Sequence, residues 1–192
     1  MIYSKERILQ NPTIGRTSFI MLSLETKRLI IRELTAADFD DYFTICHQKE
    51  IHPYLSHITT NRDVEYARFV SYIQMVYGFY GFGLWGIFKK DSGTLIGQAG
   101  LECQSIDEES EIMLSYFLDR RYRSCGYAAE ACRKILEYAR EELEFDRITA
   151  VIAPDNKASV RLAGKLGFTF VKDTVYQNQT CRLYVNEEGT EA

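Results

Sequence analysis

The chemistry this chain can support is concentrated in one stretch, Arg123-Ser124-Cys125-Gly126-Tyr127-Ala128. It sets an RxxGxA turn between a short apolar strand pattern, Ile112 to Leu118, and an amphipathic helix. The first amide N–H groups of a helix have no partner inside it, and the macrodipole adds about half a positive charge there. A small-residue turn after a strand and before a helix start therefore presents main-chain donors to an anion, and a phosphate fits that description. Gly126 lets such a ligand come close. Cys125, beside the same helix start, has two readings: a thiolate stabilised by its surroundings, or a small turn residue. No His or other base is adjacent in sequence, which favours the second.

Several elements must hold this turn in place. Leu29 to Arg32 reads as a first strand, and Thr35-Ala36-Ala37-Asp38 sets an N-cap with an acid at N3 ahead of Phe39, Phe43 and Cys46. A second helix is predicted from Thr60 or Asn61 to about Tyr77, with Val64, Ala67, Val70, Ile73, Val76 and Tyr77 on its apolar side and Gly78 and Gly81 ending it. The period then changes to two in Leu84 to Phe88, Leu95 to Leu101 and Ile112 to Leu118, an antiparallel meander. The acidic run Asp107 to Ser110 reads as a solvated turn rather than a metal site. Ala128, Ala131, Ile135, Leu136, Ala139 and Leu143 mark the long helix after the turn. Ile148 to Ala153 reads as a buried strand, Pro154-Asp155-Asn156 as the cap of a short helix through Leu166, and Phe168 to Val171 and Cys181 to Val185 as a last strand pair. The fold class is α+β: a mixed, mostly antiparallel sheet of about seven strands flanked by helices, with one parallel crossover at the turn.

Composition narrows the function classes. With 192 residues, 46% hydrophobic and 26% charged, the chain suits one globular domain. A net charge of −4 argues against a nucleic-acid groove, which needs a basic face. No apolar run is long enough to span a bilayer and no signal-peptide pattern opens the chain, so a cytoplasmic protein without membrane contact is expected. Cys46, Cys103, Cys125, Cys132 and Cys181 form no CxxC pair and no zinc spacing, which suits free thiols used in packing and predicts no metal. Gly81-Phe82-Gly83-Leu84-Trp85-Gly86 spells the dinucleotide fingerprint GxGxxG, but it follows a helix and opens a strand, the reverse of the order that fingerprint requires.

LETKRLIIREL near the start, GLWGIF, LIGQAGLE, RSCGYAAEA and NKASVRLAGKLGF occur in one fixed order. Together they resemble the GNAT acetyltransferase superfamily, and more narrowly its ribosomal-protein N-acetyltransferase branch (RimJ/RimL-like), over roughly Leu24 to Val185. The resemblance divides the chain into an N-terminal extension (1–22), a GNAT domain (23–186) and a short tail (187–192), with Met21 as an alternative initiator. It implies that acetyl-CoA is the co-substrate. Its pyrophosphate would lie on the amides of Arg123, Ser124, Cys125, Gly126, Tyr127 and Ala128, and its pantetheine arm along the strand that ends at Phe117 and Leu118. Asn156 and Ser159 would face the cofactor arm, and their i,i+3 spacing puts them on one side of the short helix. Asn156 as a cap is compatible with that role.

The implied reaction is direct acyl transfer, in which an amine attacks the thioester carbonyl, a base takes its proton and an acid protonates the leaving thiolate. Many GNAT enzymes use a tyrosine as the acid; the matching position here is Ala163, which leaves Ser159 as the candidate acid or as a plain helix residue. Candidate bases are Glu111 and Glu102. The branch commonly has an acid where this chain has Met113, so a water relay is the alternative to a single-residue base. His47, His52 and His57 lie between the first two helices, where this fold shapes the acceptor site, and read as loop residues or as assistants to the base. The expected acceptor is a primary amine, foremost the N-terminal α-amine of a ribosomal or other protein, with the protein a monomer or homodimer. The rival functions are a small-molecule acetyltransferase acting on polyamines or antibiotic-like amines, and a non-catalytic acyl-CoA-binding module.

Overall fold

A computed structural model describes residues 22–52, 55 and 58–187. The N-terminal extension before Leu22, His57 and the tail from 188 lie outside the described residues.

The first strand pair is β1 (Ser23–Glu25) with β2 (Leu29–Arg32), antiparallel, with Leu24 opposite Ile31. Thr35 then forms the expected capping box: the Asp38 carboxylate accepts the Thr35 amide at 2.7 Å, and Arg32 grips the same carboxylate with two bonds of 2.9 Å. A 3-10 turn, Ala36–Asp38, leads into α1 (Phe39–Cys46), which buries Phe39, Tyr42, Ile45 and Cys46. Asn61 caps α2 (Arg62–Tyr72) by accepting the amides of Asp63 and Val64 at 3.1 and 3.2 Å. A π-turn over Ile73–Tyr77 and a last turn over Gly78–Tyr80 extend α2 to Gly81, whose left-handed φ of 71° ends it.

The buried face of α2 keeps Ile73 and Tyr77 of the expected set and differs from it over the first turns. Glu65, Phe69 and Tyr77 are buried, with Tyr72 and Ile73 packed beside them, while Val64 is 44% exposed. Phe69, Tyr72 and Tyr77 each bury more area than a valine or alanine, so the aromatic stripe wins the core. Glu65 goes with it because its carboxylate accepts the Thr59 amide at 3.1 Å. Val64, Ala67 and Val76 instead line an open groove of about 1190 Å³ with Met75 and Phe79.

The meander comprises β3 (Leu84–Lys89), β4 (Leu95–Ile106) and β5 (Glu109–Leu118). β4 and β5 are longer than the alternation suggests, because Asp107 and Glu108 turn the chain with φ of 50° and 69°, leaving Ser105 paired with Ser110. Asp107 is correspondingly more than a solvated turn residue: it accepts from Thr174 Oγ1 and pairs with Lys172, both at 2.8 Å. After a 3-10 turn at Arg120–Tyr122 come α3 (Tyr127–Glu141), β6 (Arg147–Ile152), α4 (Lys157–Lys165), β7 (Thr169–Tyr176) and β8 (Gln179–Glu187).

One eight-stranded sheet results, in the order β1-β2-β3-β4-β5-β6-β8-β7. The count exceeds the expected seven by β1, too short to show an alternation of its own. The mixed topology is as anticipated, with β5 and β6 the parallel pair. α3 covers one face through Ala131, Ile135 and Ala139, with Trp85 edge-on to Tyr138. α1 covers the other, packing Phe39, Tyr42 and Ile45 against Phe69, Phe88 and Leu95.

Candidate functional site

β5 and β6 pair at one register position, Met113 opposite Thr149, and Thr149 Oγ1 adds a 3.2 Å bond to the Ile112 carbonyl. Beyond that bridge the strands part, while β5 stays fully paired to β4 on its other side from Glu109 to Leu118. The edge from Leu114 to Leu118 therefore opens onto a gap in the sheet. The RxxGxA turn lies at the end of that edge.

The turn is built by conformation. Ser124 has φ of 61° and Gly126 has φ of 82° as the residue preceding α3. Gly126 takes that left-handed conformation without the penalty a side chain would incur. The amides of Gly126, Tyr127 and Ala128 donate to no protein acceptor among the described residues, as expected for a helix start aimed outward. Arg123 uses its side chain structurally: Nε donates to the Leu118 carbonyl at 3.1 Å and a terminal nitrogen to the Glu50 carbonyl at 3.4 Å. Arg120 latches the same segment to the loop after α1, its amide bonded to Gln48 at 3.0 Å and its guanidinium to Glu50 at 3.0 Å. Cys125 is exposed, its thiol 3.4 Å from the Arg123 carbonyl.

Across the gap, Asn156 caps α4 and accepts the Ser159 amide at 3.1 Å. Ser159 Oγ lies 2.9 Å from the hydroxyl of Tyr116 on β5, a partner that alternation alone presents as a core residue. Burial pushes the Tyr116 phenol up, with the Ser159 bond pulling the other way. Ala163, further along α4, is buried in the core and offers no acid.

The sequence-based candidate bases separate. Glu102 stands opposite Met113 and shares its face with Ser115, so it projects to the α1 side, whereas Tyr116 projects to the α3 side. Burial pushes the Glu102 carboxyl above its ordinary range, opposed by a hydrogen bond from Ser115, and Tyr72 and Tyr176 lie close enough to feel its charge. Glu111 is held by Arg147 in a two-pronged ion pair of 3.0 and 3.1 Å near the start of β5. Glu111 and Leu118 are seven residues apart on one strand, about 23 Å at the strand rise. Met113 packs with Ile106, Leu183 and Val185. His47 has ring nitrogens 2.8 Å from the Phe43 carbonyl and 3.2 Å from that of Thr59, and the ring of His52 lies 5.4 Å from it. Of the cysteines, Cys46, Cys132 and Cys181 are buried; Cys103 is exposed and does not serve as a packing residue. Among the described residues no group of three or more His, Cys, Asp or Glu side chains is placed to hold a metal, and no helix is long and apolar enough to cross a membrane.

Gly81-Phe82-Gly83 joins the end of α2 to β3, so the GxGxxG string lacks a following helix in the structure too.

Comparison with known proteins places this geometry. The family described as Acetyltransferase (GNAT) domain matches residues 28–169. The chain is 36% identical to Uncharacterized protein YkkB of Bacillus subtilis (strain 168) over 105 residues, 55% of this chain and 61% of YkkB, so that match leaves more than a third of the relative unaligned. It is 31% identical over 163 residues to Uncharacterized N-acetyltransferase YoaA of the same organism, covering 82% of this chain and 90% of YoaA. Among solved structures, a GnaT-family acetyltransferase from Bordetella pertussis superposes with a TM-score of 0.74 at 24% identity, over 86% of this chain and 99% of that one. RimL, titled a ribosomal L7/L12 alpha-N-protein acetyltransferase, superposes with a TM-score of 0.69 at 13% identity, over 91% and 98% of the two chains. These last two likenesses establish the fold. The extent of the family match and the YoaA identity establish descent, and the chain belongs to the GNAT family of acyltransferases.

Proposed function

We propose that the protein transfers an acetyl group from acetyl-CoA to a primary amine, with the α-amine at the N-terminus of a protein as acceptor. One observation carries the reading: where β5 and β6 part, Tyr116 and Ser159 form a hydrogen-bonded hydroxyl pair on one face of the sheet, and Glu102, on β4 opposite the bridged Met113, stands on the other face. Two reactants entering from opposite faces would meet between a base and an acid.

The residues present suit the co-substrate. The outward amides of Gly126, Tyr127 and Ala128 offer donors for a diphosphate, and the N–H of Leu118, on the side of β5 turned away from β4, offers a donor to an extended amide-bearing arm, while Phe117 pairs its backbone groups with Gln98 and the Leu118 carbonyl is held by Arg123. Asn156 and Ser159 border that arm from α4. When bound, acetyl-CoA supplies a thioester-activated acetyl group.

The chain's own residues then handle protons. Glu102 accepts the proton of the incoming ammonium, and burial brings its pKa closer to that of the amine it serves. An α-amine with pKa near 7.7 to 8.0 costs about 1 kcal/mol to deprotonate at pH 7, against roughly 4.6 for a lysine, so a modest base suffices for the former. As the C–S bond breaks, Ser159 Oγ gives its proton to the departing sulfur, Tyr116 replaces it along their shared bond, and the second proton lost by the acylated nitrogen restores the pair through solvent. Glu111 is left out because Arg147 occupies both of its oxygens. RimL, a ribosomal L7/L12 alpha-N-protein acetyltransferase of this fold, supports the acceptor class.

Thiol release from acetyl-CoA, followed with N-terminal peptides, lysine peptides and polyamines, tests the reading. Faster turnover on N-terminal peptides is expected. Equal or better turnover on polyamines overturns the acceptor, and tight CoA binding without release on any amine overturns catalysis.

A further inference from the structure

The turn that presents amides to the diphosphate is fastened from the opposite end of the chain. Arg28, in the connection between β1 and β2, donates from Nε to Glu130 at 2.7 Å and from a terminal nitrogen to the Cys125 carbonyl at 3.1 Å. Its guanidinium stacks 4.3 Å over the Tyr127 ring. Glu130, in the first turn of α3, also accepts the Arg28 amide at 2.9 Å and the Thr26 hydroxyl at 2.6 Å.

Two consequences follow for the turn. In a trans peptide the C=O and N–H point in opposite directions. Fixing the Cys125 carbonyl toward Arg28 therefore aims the Gly126 N–H away from Arg28, on the side where the next amides of α3 are also unpartnered. Glycine at φ of 82° tolerates rotation of that peptide more readily than any other residue, so the orientation needs an external hold. Glu130 presents a second requirement. A bare carboxylate in the first helical turn would compete with an incoming anion for the same positive helix end. The bonds to Arg28 and Thr26 occupy and compensate it, and they keep its pKa low in spite of burial.

We infer that Arg28, held by Glu130, is a positioning residue for CoA: it sets the Cys125–Gly126 peptide so that the Gly126 N–H faces the diphosphate. The inference rests on the acetyl-CoA reading above. It predicts an effect on ligands that carry the diphosphate and none on those that lack it.

The test measures CoA and dephospho-CoA affinity by calorimetry, and KM with acetyl-CoA and acetyl-pantetheine as donors, for the wild type, Arg28→Ala, Arg28→Lys and Glu130→Gln. Arg28→Ala is expected to weaken CoA and dephospho-CoA by the same factor, about tenfold or more, with the KM for acetyl-pantetheine unchanged. Arg28→Lys keeps the charge but cannot span Glu130 and the Cys125 carbonyl together, so it should resemble the alanine variant. Glu130→Gln should give a smaller loss, and it reports on the clamp even if Arg28→Ala fails to fold. A loss confined to CoA and absent with dephospho-CoA would mean direct contact with the 3′-phosphate, and restoration by lysine would mean a charge effect; either overturns positioning. Equal losses with acetyl-pantetheine overturn it as well. Wild-type protein that binds no CoA removes the acetyl-CoA reading itself, whereas wild-type binding with unchanged variants removes only the role of Arg28.

Discussion

Tyr116 on β5 and Ser159 on α4 share a 2.9 Å hydrogen bond that joins strand to helix where the parallel strands separate. If the two hydroxyls move one proton as a unit, Ser159→Ala should lower kcat about 100-fold and Tyr116→Phe by less. The double variant should then be no slower than Ser159→Ala alone. Single-turnover rates with acetyl-CoA measure this, and independent, additive losses would separate the two residues.

Glu102 should govern the acid limb of the pH profile. Burial raises its pKa, so kcat/KM should fall as pH drops through a value above the ordinary glutamate range, and Glu102→Gln should remove that limb along with most of the activity. Stability has the opposite sign. A carboxyl whose folded pKa is raised favours the fold most at low pH, where it is protonated, and loses that advantage as pH rises through the folded value. Glu102→Gln should therefore melt no lower than wild type at pH 8, and near wild type at pH 4. A lower melting temperature at pH 8 contradicts the burial argument.

Glu111 is expected to behave as a structural residue. Replacing it with Gln leaves Arg147 with a weaker partner near the start of β5, at a cost of about 1–2 kcal/mol in a thermal or urea melt. The residual turnover per folded molecule should match wild type. A kcat loss beyond tenfold with an unchanged melt would return Glu111 to the chemistry.

Gly126→Val tests the turn directly. The added Cβ would meet only the Arg28 guanidinium, at 3.4 Å, so the obstacle is the φ of 82° rather than crowding. Strain of about 1–3 kcal/mol should leave the domain folded while CoA affinity falls at least tenfold. Calorimetry alongside circular dichroism distinguishes the two, and unchanged affinity would remove the turn from the cofactor site.

Signals carried within a few residues could be read before the structure. The Thr35–Asp38 box, the Asn61 and Asn156 caps and the strand-to-helix turn at Gly126 all depend on local hydrogen-bonding chemistry, and all are present. The face of α2 was not readable in this way. Its apolar count favours Val64 and Ala67, while area favours Phe69 and Tyr72, and the π-turn at Ile73–Tyr77 shifts the phase beyond. In sequence Tyr116 is one more residue of an apolar strand because its partner is 43 positions away, and Glu111 reads as a candidate base because Arg147 is 36 positions away. Long-range pairs of single side chains leave no periodic trace.

The clamp between the first hairpin and α3 also has a meaning in time. Thr26 and Arg28 meet Glu130 across 104 and 102 positions of chain, contacts whose loop-closure entropy must be met before they contribute anything. The leading hairpin leaves the ribosome long before its counterpart exists. The turn before α3 is accordingly among the late parts of the molecule to mature, and a nascent chain ending short of residue 130 has the hairpin without the finished turn.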